Sequence, residues 1–567
     1  MRTTRVAVFT LFLAPGLLGA QQQPARRDSV VELPPMTVTA TRDLREVFRT
    51  PAPVSVVDST ALAQRLPSNL TDLFVDLPGL DVNGVGPSQS RPIIRGLMGQ
   101  RILLLEDGIR MNNSRRQQDF GEIPSLVALE ELGRVEVVRG PASVLYGTDA
   151  IGGAVNLITK EPPQTLVGTE VHGALGYRYE GAGSQQRPWG VFTGNVGRFN
   201  WLAFGAYRDA GPYESPAGSF GGATLPRLTR VQDTGIRDEN LALQAGYMLA
   251  PQQSVYARFE RYHADTAGFG YVQNADVQPF DPNAPTIRIT YPDQSVNKLT
   301  LGYGAKGLGF GLADRLDVTG YYIRNDRLLN LDVTIPLGPG ASGVSSTRNF
   351  TNLDTWGFRV EAAKAIAGRH LLTYGLDGFH DNSVNGDTLT LTGFGPPMTS
   401  TTPQIPDATF RSLGAFAQGD LHLVPRLSLI AGVRVQDIRA ATRPTAGITA
   451  PPVAHENQTV VGTLNTGFDV SDHFTLVATV GRGFRSPDLV ERFFTGPTPE
   501  GNGYQRQTPN LRPETSLNVD LGFRYRNGPV SLEAFAFRNE IHDGIGIQAT
   551  GDTVQGLPEY QNVNVDR

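Results

Sequence analysis

Residues Gly302-Tyr303-Gly304-Ala305-Lys306-Gly307 match letter by letter the Gly-x-Gly-x-x-Gly pattern that lets a backbone approach a dinucleotide pyrophosphate. That chemistry needs a helix N-terminus directly after the glycines, and here an alternating strand-and-turn pattern follows, so no nucleotide site is expected. The eight histidines are scattered without a His-Glu-x-x-His pair, which removes the recognised catalytic zinc arrangement. With no cysteine there is no disulfide, no thiolate metal site and no cysteine nucleophile. No catalytic set, resident metal or cofactor is expected. Two arginines stand out instead. Arg95 and Arg139 each follow a β-branched residue and precede glycine, and a buried arginine needs an acidic partner.

The stretch that must position Arg139 runs from Arg134 to Lys160. Val135-Glu136-Val137-Val138 and Ala154-Val155-Asn156-Leu157-Ile158-Thr159 read as short buried strands. Between them, Gly140-Pro141, Gly147 and Gly152-Gly153 predict tight turns. Upstream stand Ile93-Ile94-Arg95-Gly96-Leu97 and the apolar run Arg101 to Arg110 with its Asp107-Gly108. These three blocks, in this order and spacing, resemble the plug domain of TonB-dependent outer-membrane receptors.

Composition sets the limits within which that resemblance has to fit. The chain has 567 residues, too many for one ordinary domain, and a net charge of −5 leaves no basic surface for nucleic acid. Arg2 and Arg5 precede an apolar run from Val6 to Leu18, and small residues follow at Gly19-Ala20. This predicts a signal peptide over 1–20 cut after Ala20, since a spanning helix needs about 20 apolar residues. Mean hydropathy is negative at −0.21, and no other run suits a membrane helix. A membrane protein without such helices must be a closed β-barrel. Composition alone also admits a soluble secreted β protein.

Residues 21–47 read as a flexible lead, polar at first, and Pro34-Pro35 then precede the extended segment Met36 to Thr41. By resemblance this is the TonB box, with Thr37, Val38, Thr39 and Ala40 adding a strand to the periplasmic protein TonB. A plug of mixed α and β structure is expected over 48–160. Within it, Pro53 to Asp58 predicts a strand, Ser68 to Phe74 a short capped helix and Asn83 to Gln89 a loop. The polar loop Asn112 to Phe120 follows the apolar run. The resemblance places both loops at an outward-facing apex beneath the ligand cavity, which makes Gln89, Asn112, Asn113, Arg115, Arg116 and Gln118 the candidate ligand contacts. It also implies that Arg95 and Arg139 face carboxylates of the barrel wall.

From about residue 161 a period of two takes over. Leu517 to Arg526 is apolar at every odd position and polar or Gly at every even one, and Asn527-Gly528 turns the chain back through Val530, Leu532, Ala534 and Ala536. The pattern repeats in 241–249, 255–259, 316–322, 427–435 and 474–480, with short turns at 424–426 and 471–473. Long excursions at 209–238, 264–295, 383–409 and 495–514 predict large loops on one side. The fold class is a membrane all-β protein, a large antiparallel transmembrane barrel over 161–567 with the plug in its lumen. On the order of sixteen strands are expected against the roughly 22 of plugged transporters. Arg485-Ser486-Pro487 and Asn510 to Thr515 resemble family blocks well before the C-terminus, so the barrel is expected to be incomplete at that end.

The resemblance implies proton-gradient-driven uptake through TonB with ExbB and ExbD, the other partners being outer-membrane lipid and an extracellular small molecule. A ferric siderophore or similar metal chelate leads, with haem, haemoglobin or cobalamin as alternatives. Phe484-Arg485-Ser486-Pro487 and Thr508-Pro509-Asn510-Leu511 resemble boxes of haem receptors, but no histidine lies between them. A passive porin is the alternative of another class, and it would need neither plug nor TonB box. A secreted enzyme would need a convergent acid, base or nucleophile set.

Overall fold

The computed structural model describes residues 36–37, 39–43, 45–115, 121–309, 311–338, 340–498, 503–554 and 556–565. Of the sequence expectations, the signal peptide, Val38, Arg116 and Gln118 lie outside these residues.

The β-branched runs of the first third form a five-stranded sheet. Its order is Val54–Asp58, Leu132–Arg139, Gly153–Thr159, Ile102–Glu106, Ile109–Arg110. All neighbours are antiparallel except Ile102–Glu106 beside Gly153–Thr159. The parallel pair is buried except for the half-buried Glu106 and Ile158, as its largely apolar sequence requires. One face packs Val57, Val135, Val137, Val155 and Leu157 against Leu73 and Phe74 of the 3-10 helix Leu70–Phe74. Asn69 caps that helix and Asp72 returns the bond, a capping box that fixes its start. Gly153 has φ +152°, and a Cβ there would stand 2.3 Å from the Val138 carbonyl, so only glycine lets the two strands close.

Two local expectations are corrected. Between the long strands the chain makes a helical turn, Ser143–Tyr146, rather than turns alone. Residues 83–89 are no open loop, because Leu80–Val85 and Gln89–Ile94 form a tight hairpin through Gly86.

Around this plug stands one antiparallel sheet of 16 strands. Its principal strands run in chain order from Thr169–Glu180 to Val530–His542, each paired with the next. The alternation decides which way side chains face. In Glu514–Asn527, Leu517, Val519 and Leu521 are exposed outward, while Asn518 and Asp520 are buried toward the plug. Ion pairs to the plug come from strands spread around the sheet: Arg187 with Glu130, Arg258 with Glu131, Lys298 with Glu106 and Asp520 with Arg95. The plug therefore fills the lumen. Among the described residues the two edge strands are paired on one side only, and Gly544–Val554 with Leu557–Val565 belong to a separate small sheet.

The predicted large loops are shorter than their polarity suggested. Gln253–Gly268 and Thr286–Lys306 carry strand well into 264–295, and His370–Thr392 does the same in 383–409. Beyond the apolar belt a paired strand satisfies its own backbone and needs no apolar outer face, so period-two hydrophobicity fades before the strand does.

Candidate functional site

The apolar run Ile102–Glu106 leads through Asp107-Gly108 and Ile109–Arg110 into the polar stretch 111–115. Asn112 is buried, and its amide is spent inside the plug. It accepts from the Leu104 N–H at 3.0 Å and donates to the Ile102 carbonyl at 3.1 Å and to Asp149 at 3.3 Å. Gln89 is buried too and accepts from the Gly121 N–H at 2.8 Å. Burial of a polar side chain reflects the backbone groups that satisfy it, and Asn112 also lines the cavity described next.

Asn113 and Arg115 follow directly in the same stretch. Asn113 accepts from the Arg115 N–H at 3.0 Å and lines a cavity between the plug and the sheet. Arg110, Tyr262, Lys298, Tyr321 and Asp381 also line that cavity. Arg115 is 4% exposed, and its guanidinium donates to Thr351 Oγ1 at 3.2 Å while Nε and one terminal nitrogen find no hydrogen-bond partner among the described residues. Burial, with Arg327 close by, brings its pKa down to about 10 despite Asp387 and Asp488. A buried cation with free donors next to another cation is costly unless an anion joins it.

The two conspicuous arginines both sit at the plug surface. Arg95 adopts φ +52° at the end of its strand and meets Asp520 at 2.6 Å. Arg139 spends its donors within the plug, on the Pro78 carbonyl at 2.7 Å and Ser55 Oγ at 2.6 Å, and lies 3.9 Å from Glu533 of the sheet.

Sequence reasoning missed two clusters. Arg485 and Arg101 converge on Glu514, and Arg485 also takes Glu491 in a two-pronged pair at 2.8 and 2.9 Å. The Arg485-Ser486-Pro487 block was the available signal, but its partner lies 29 residues away in sequence. The second cluster holds three carboxylates, Glu106, Glu131 and Glu260, against two cations, Lys298 and Arg258. Burial and crowding push Glu131 up to about 8 and Glu106 up to about 7.

The N-terminal segment is docked rather than free. Met36 and Thr37 pair with Glu46 and Arg45. Thr37 Oγ1 and the Thr39 N–H donate to Glu136 at 2.6 and 2.8 Å, and Tyr146 Oη donates to the Thr39 carbonyl at 3.1 Å. Thr37 and Thr39 are buried and Ala40 is half-buried.

Comparison with known proteins follows the same division of the chain. A family model described as "TonB-dependent Receptor Plug Domain" matches residues 46–154, and one described as "TonB dependent receptor-like, beta-barrel" matches residues 242–567. The "Iron-regulated outer membrane virulence protein" of Vibrio cholerae is 24% identical over 94% of this chain and 73% of its own length. The "Ferric enterobactin receptor" of Pseudomonas aeruginosa is 24% identical over 95% of this chain and 74% of its own. The "Hemin receptor" of Yersinia pestis is 24% identical over 87% and 67% respectively. Among solved structures, "Copper transporter OprC" superimposes with a TM-score of 0.68 at 18% identity, covering 90% of this chain and 76% of that one.

Proposed function

The chain belongs to the TonB-dependent receptor family, and from that premise we infer that it is an outer-membrane receptor that imports an anionic metal chelate, a ferric siderophore first of all. The family consists of transport receptors, and this member carries out transport with no covalent chemistry. The observation that carries the cargo class is Arg115, a buried guanidinium that follows Asn113 of the cavity wall by two residues and has two nitrogens without a partner among the described residues. A chelate bearing carboxylate or catecholate oxygens supplies the acceptors that this guanidinium lacks. Asn113 lies beside it, Arg116 and Gln118 follow in the sequence, and Gln89 and Asn112 complete the candidate set. Relatives named for ferric enterobactin and for iron regulation support the same reading.

The remaining parts follow the family plan. Residues 1–20 are a signal peptide, 21–47 a lead with the TonB box, 48–160 the plug and 161–567 the barrel. TonB, driven by the proton gradient through ExbB and ExbD, takes Thr37 to Ala40 as an added strand and draws on the plug. Arg95 and Arg139 hold the plug against the wall until that happens.

The test is binding of ferric siderophores, cobalamin and haemin to the protein in detergent, read by tryptophan quenching, with uptake measured in cells. Saturable binding of one ferric siderophore, with uptake lost on deletion of residues 34–41, is the expected result. Haemin as the sole tight ligand would replace the siderophore reading with haem, which the relative named hemin receptor supports. Uptake unchanged by the deletion would make the protein a passive pore.

A further inference from the structure

Adjoining the cavity that Asn113 lines, a second chamber opens between the plug and the sheet. The two share Ile109, Arg110, Tyr321 and Phe379 in their walls, so these four residues form the waist between them. Arg110 is fixed there. It lies 5.1 Å from the Phe379 ring centre, donates to the Asn112 carbonyl at 2.7 Å and pairs with Asp149.

The wall of this second chamber presents four guanidiniums, from Arg42, Arg110, Arg359 and Arg434, and a single carboxylate, Asp377, which Arg434 holds in a two-pronged pair at 2.8 and 2.5 Å. Asp149 and Glu361, the carboxylates that meet Arg110 and Arg42, stand outside that wall. Arg359 donates to the Gly108 carbonyl at 2.9 Å. Arg42 is 8% exposed, lies 3.9 Å over the Tyr146 ring and 3.6 Å from Glu361, and its Nε has no hydrogen bond among the described residues. A group entering the chamber therefore meets cations first, in a setting of low dielectric where the nearest charges dominate.

We propose that this second chamber is an inner binding site for an anionic cargo in transit, walled by Arg42, Arg110, Arg359 and Arg434. The proposal rests on the transport reading above. Arg42 follows Thr39 by three residues, so withdrawal of the docked N-terminal segment takes one wall of the chamber with it. The cargo is held by charge and released by the motion that admits it to the far side.

The absence of native cysteine makes the chamber directly testable. Thr319→Cys and Ser412→Cys each place one thiol in its wall, and Ser219→Cys provides an exposed control. Full-length protein in outer-membrane vesicles is labelled with anionic 2-sulfonatoethyl or cationic 2-(trimethylammonio)ethyl methanethiosulfonate. Each rate is divided by that reagent's rate with 2-mercaptoethanol. Both chamber cysteines should prefer the anionic reagent about tenfold over the control, the factor that a local potential of about 0.7 kcal/mol per unit charge supplies, because the two reagents feel it with opposite sign. Arg359→Gln in the Thr319→Cys background should cut that preference several-fold. A ratio equal to the control, a cationic preference, or chamber thiols that stay unlabelled while the control reacts would overturn the proposal. The ratio reads the chamber alone, so it stands or falls independently of which chelate the receptor binds.

Discussion

Arg95 and Asp520 meet at 2.6 Å across the boundary between plug and barrel wall, with side chains only 3% and 0% exposed. Neither charge has water to fall back on, so each depends on the other. Asp520→Asn should lower the stability of the docked plug by about 3–5 kcal/mol. The measurement is the urea concentration at which the plug becomes open to protease. Because most of that loss comes from stranding a buried charge, Arg95→Leu combined with Asp520→Leu should cost less than the two single changes added together.

The carboxylate cluster makes plug docking depend on pH. Glu131 titrates near 8 and Glu106 near 7, both raised first by burial. Glu260 and Glu106 crowd Glu131 against the pull of Arg258 and Lys298, while Glu260 and Asp107 crowd Glu106 against Lys298. Lys160 and Glu161 lie on the adjoining chain, where Lys160 interacts with Glu131 and Glu161 with Asp107 and Arg258. An acid whose folded pKa is raised binds more protons folded than unfolded, so its contribution is complete below pH ~4.5 and is lost as pH rises toward 8. The free energy of plug release, read from urea titrations, should fall between pH 5 and pH 8.5 by an amount on the order of 1–3 kcal/mol. Glu131→Gln should flatten that slope.

Glu136 behaves in the opposite sense. Burial pushes its pKa up, but hydrogen bonds from Thr37, Thr39 and Arg134 outweigh it and hold the value below the ordinary range. Its hold on the N-terminal segment is therefore complete above pH ~4.5 and is lost as pH falls through its folded pKa. Glu136→Ala removes two bonds to a charged acceptor, worth roughly 3 kcal/mol together. Hydrogen exchange across residues 36–42 should accelerate by about a hundredfold, while the barrel strands keep their protection.

Arg115 separates stability from binding. Its unpartnered donors and the nearby Arg327 make it a strained guest, so Arg115→Gln should leave the thermal midpoint unchanged or raise it. The same change removes a charged donor from the chelate and should weaken binding at least about tenfold. Equal losses of stability and affinity would show the residue to be structural.

The strands were legible where chemistry alternates with the pleat. Leu517 to Arg526 states its own two faces, and the Val135 to Val138 run states its burial. What could not be read was partnership. Nothing near Asn112 announces that its amide closes on Leu104 and Ile102, and nothing near Arg485 announces Glu514. Arg139 illustrates the same limit: burial and charge were foreseeable, but its donors went to Pro78 and Ser55 instead of mainly to the wall. Sequence reports what a side chain requires, while the fold decides which of several equivalent groups provides it.

Among the described residues, the ladder that anchors the N-terminal segment is two residue pairs long, Met36 with Glu46 and Thr37 with Arg45. Tension applied from the N-terminal side loads such a ladder at its end, so its bonds carry the load in turn, each net worth about 1 kcal/mol. The five-stranded sheet beyond it presents its rungs side by side and shares a load among them. The molecule is thus graded mechanically, with a weak fuse in series with a stiff frame. A modest tug spends itself at the fuse and leaves the frame intact for another cycle.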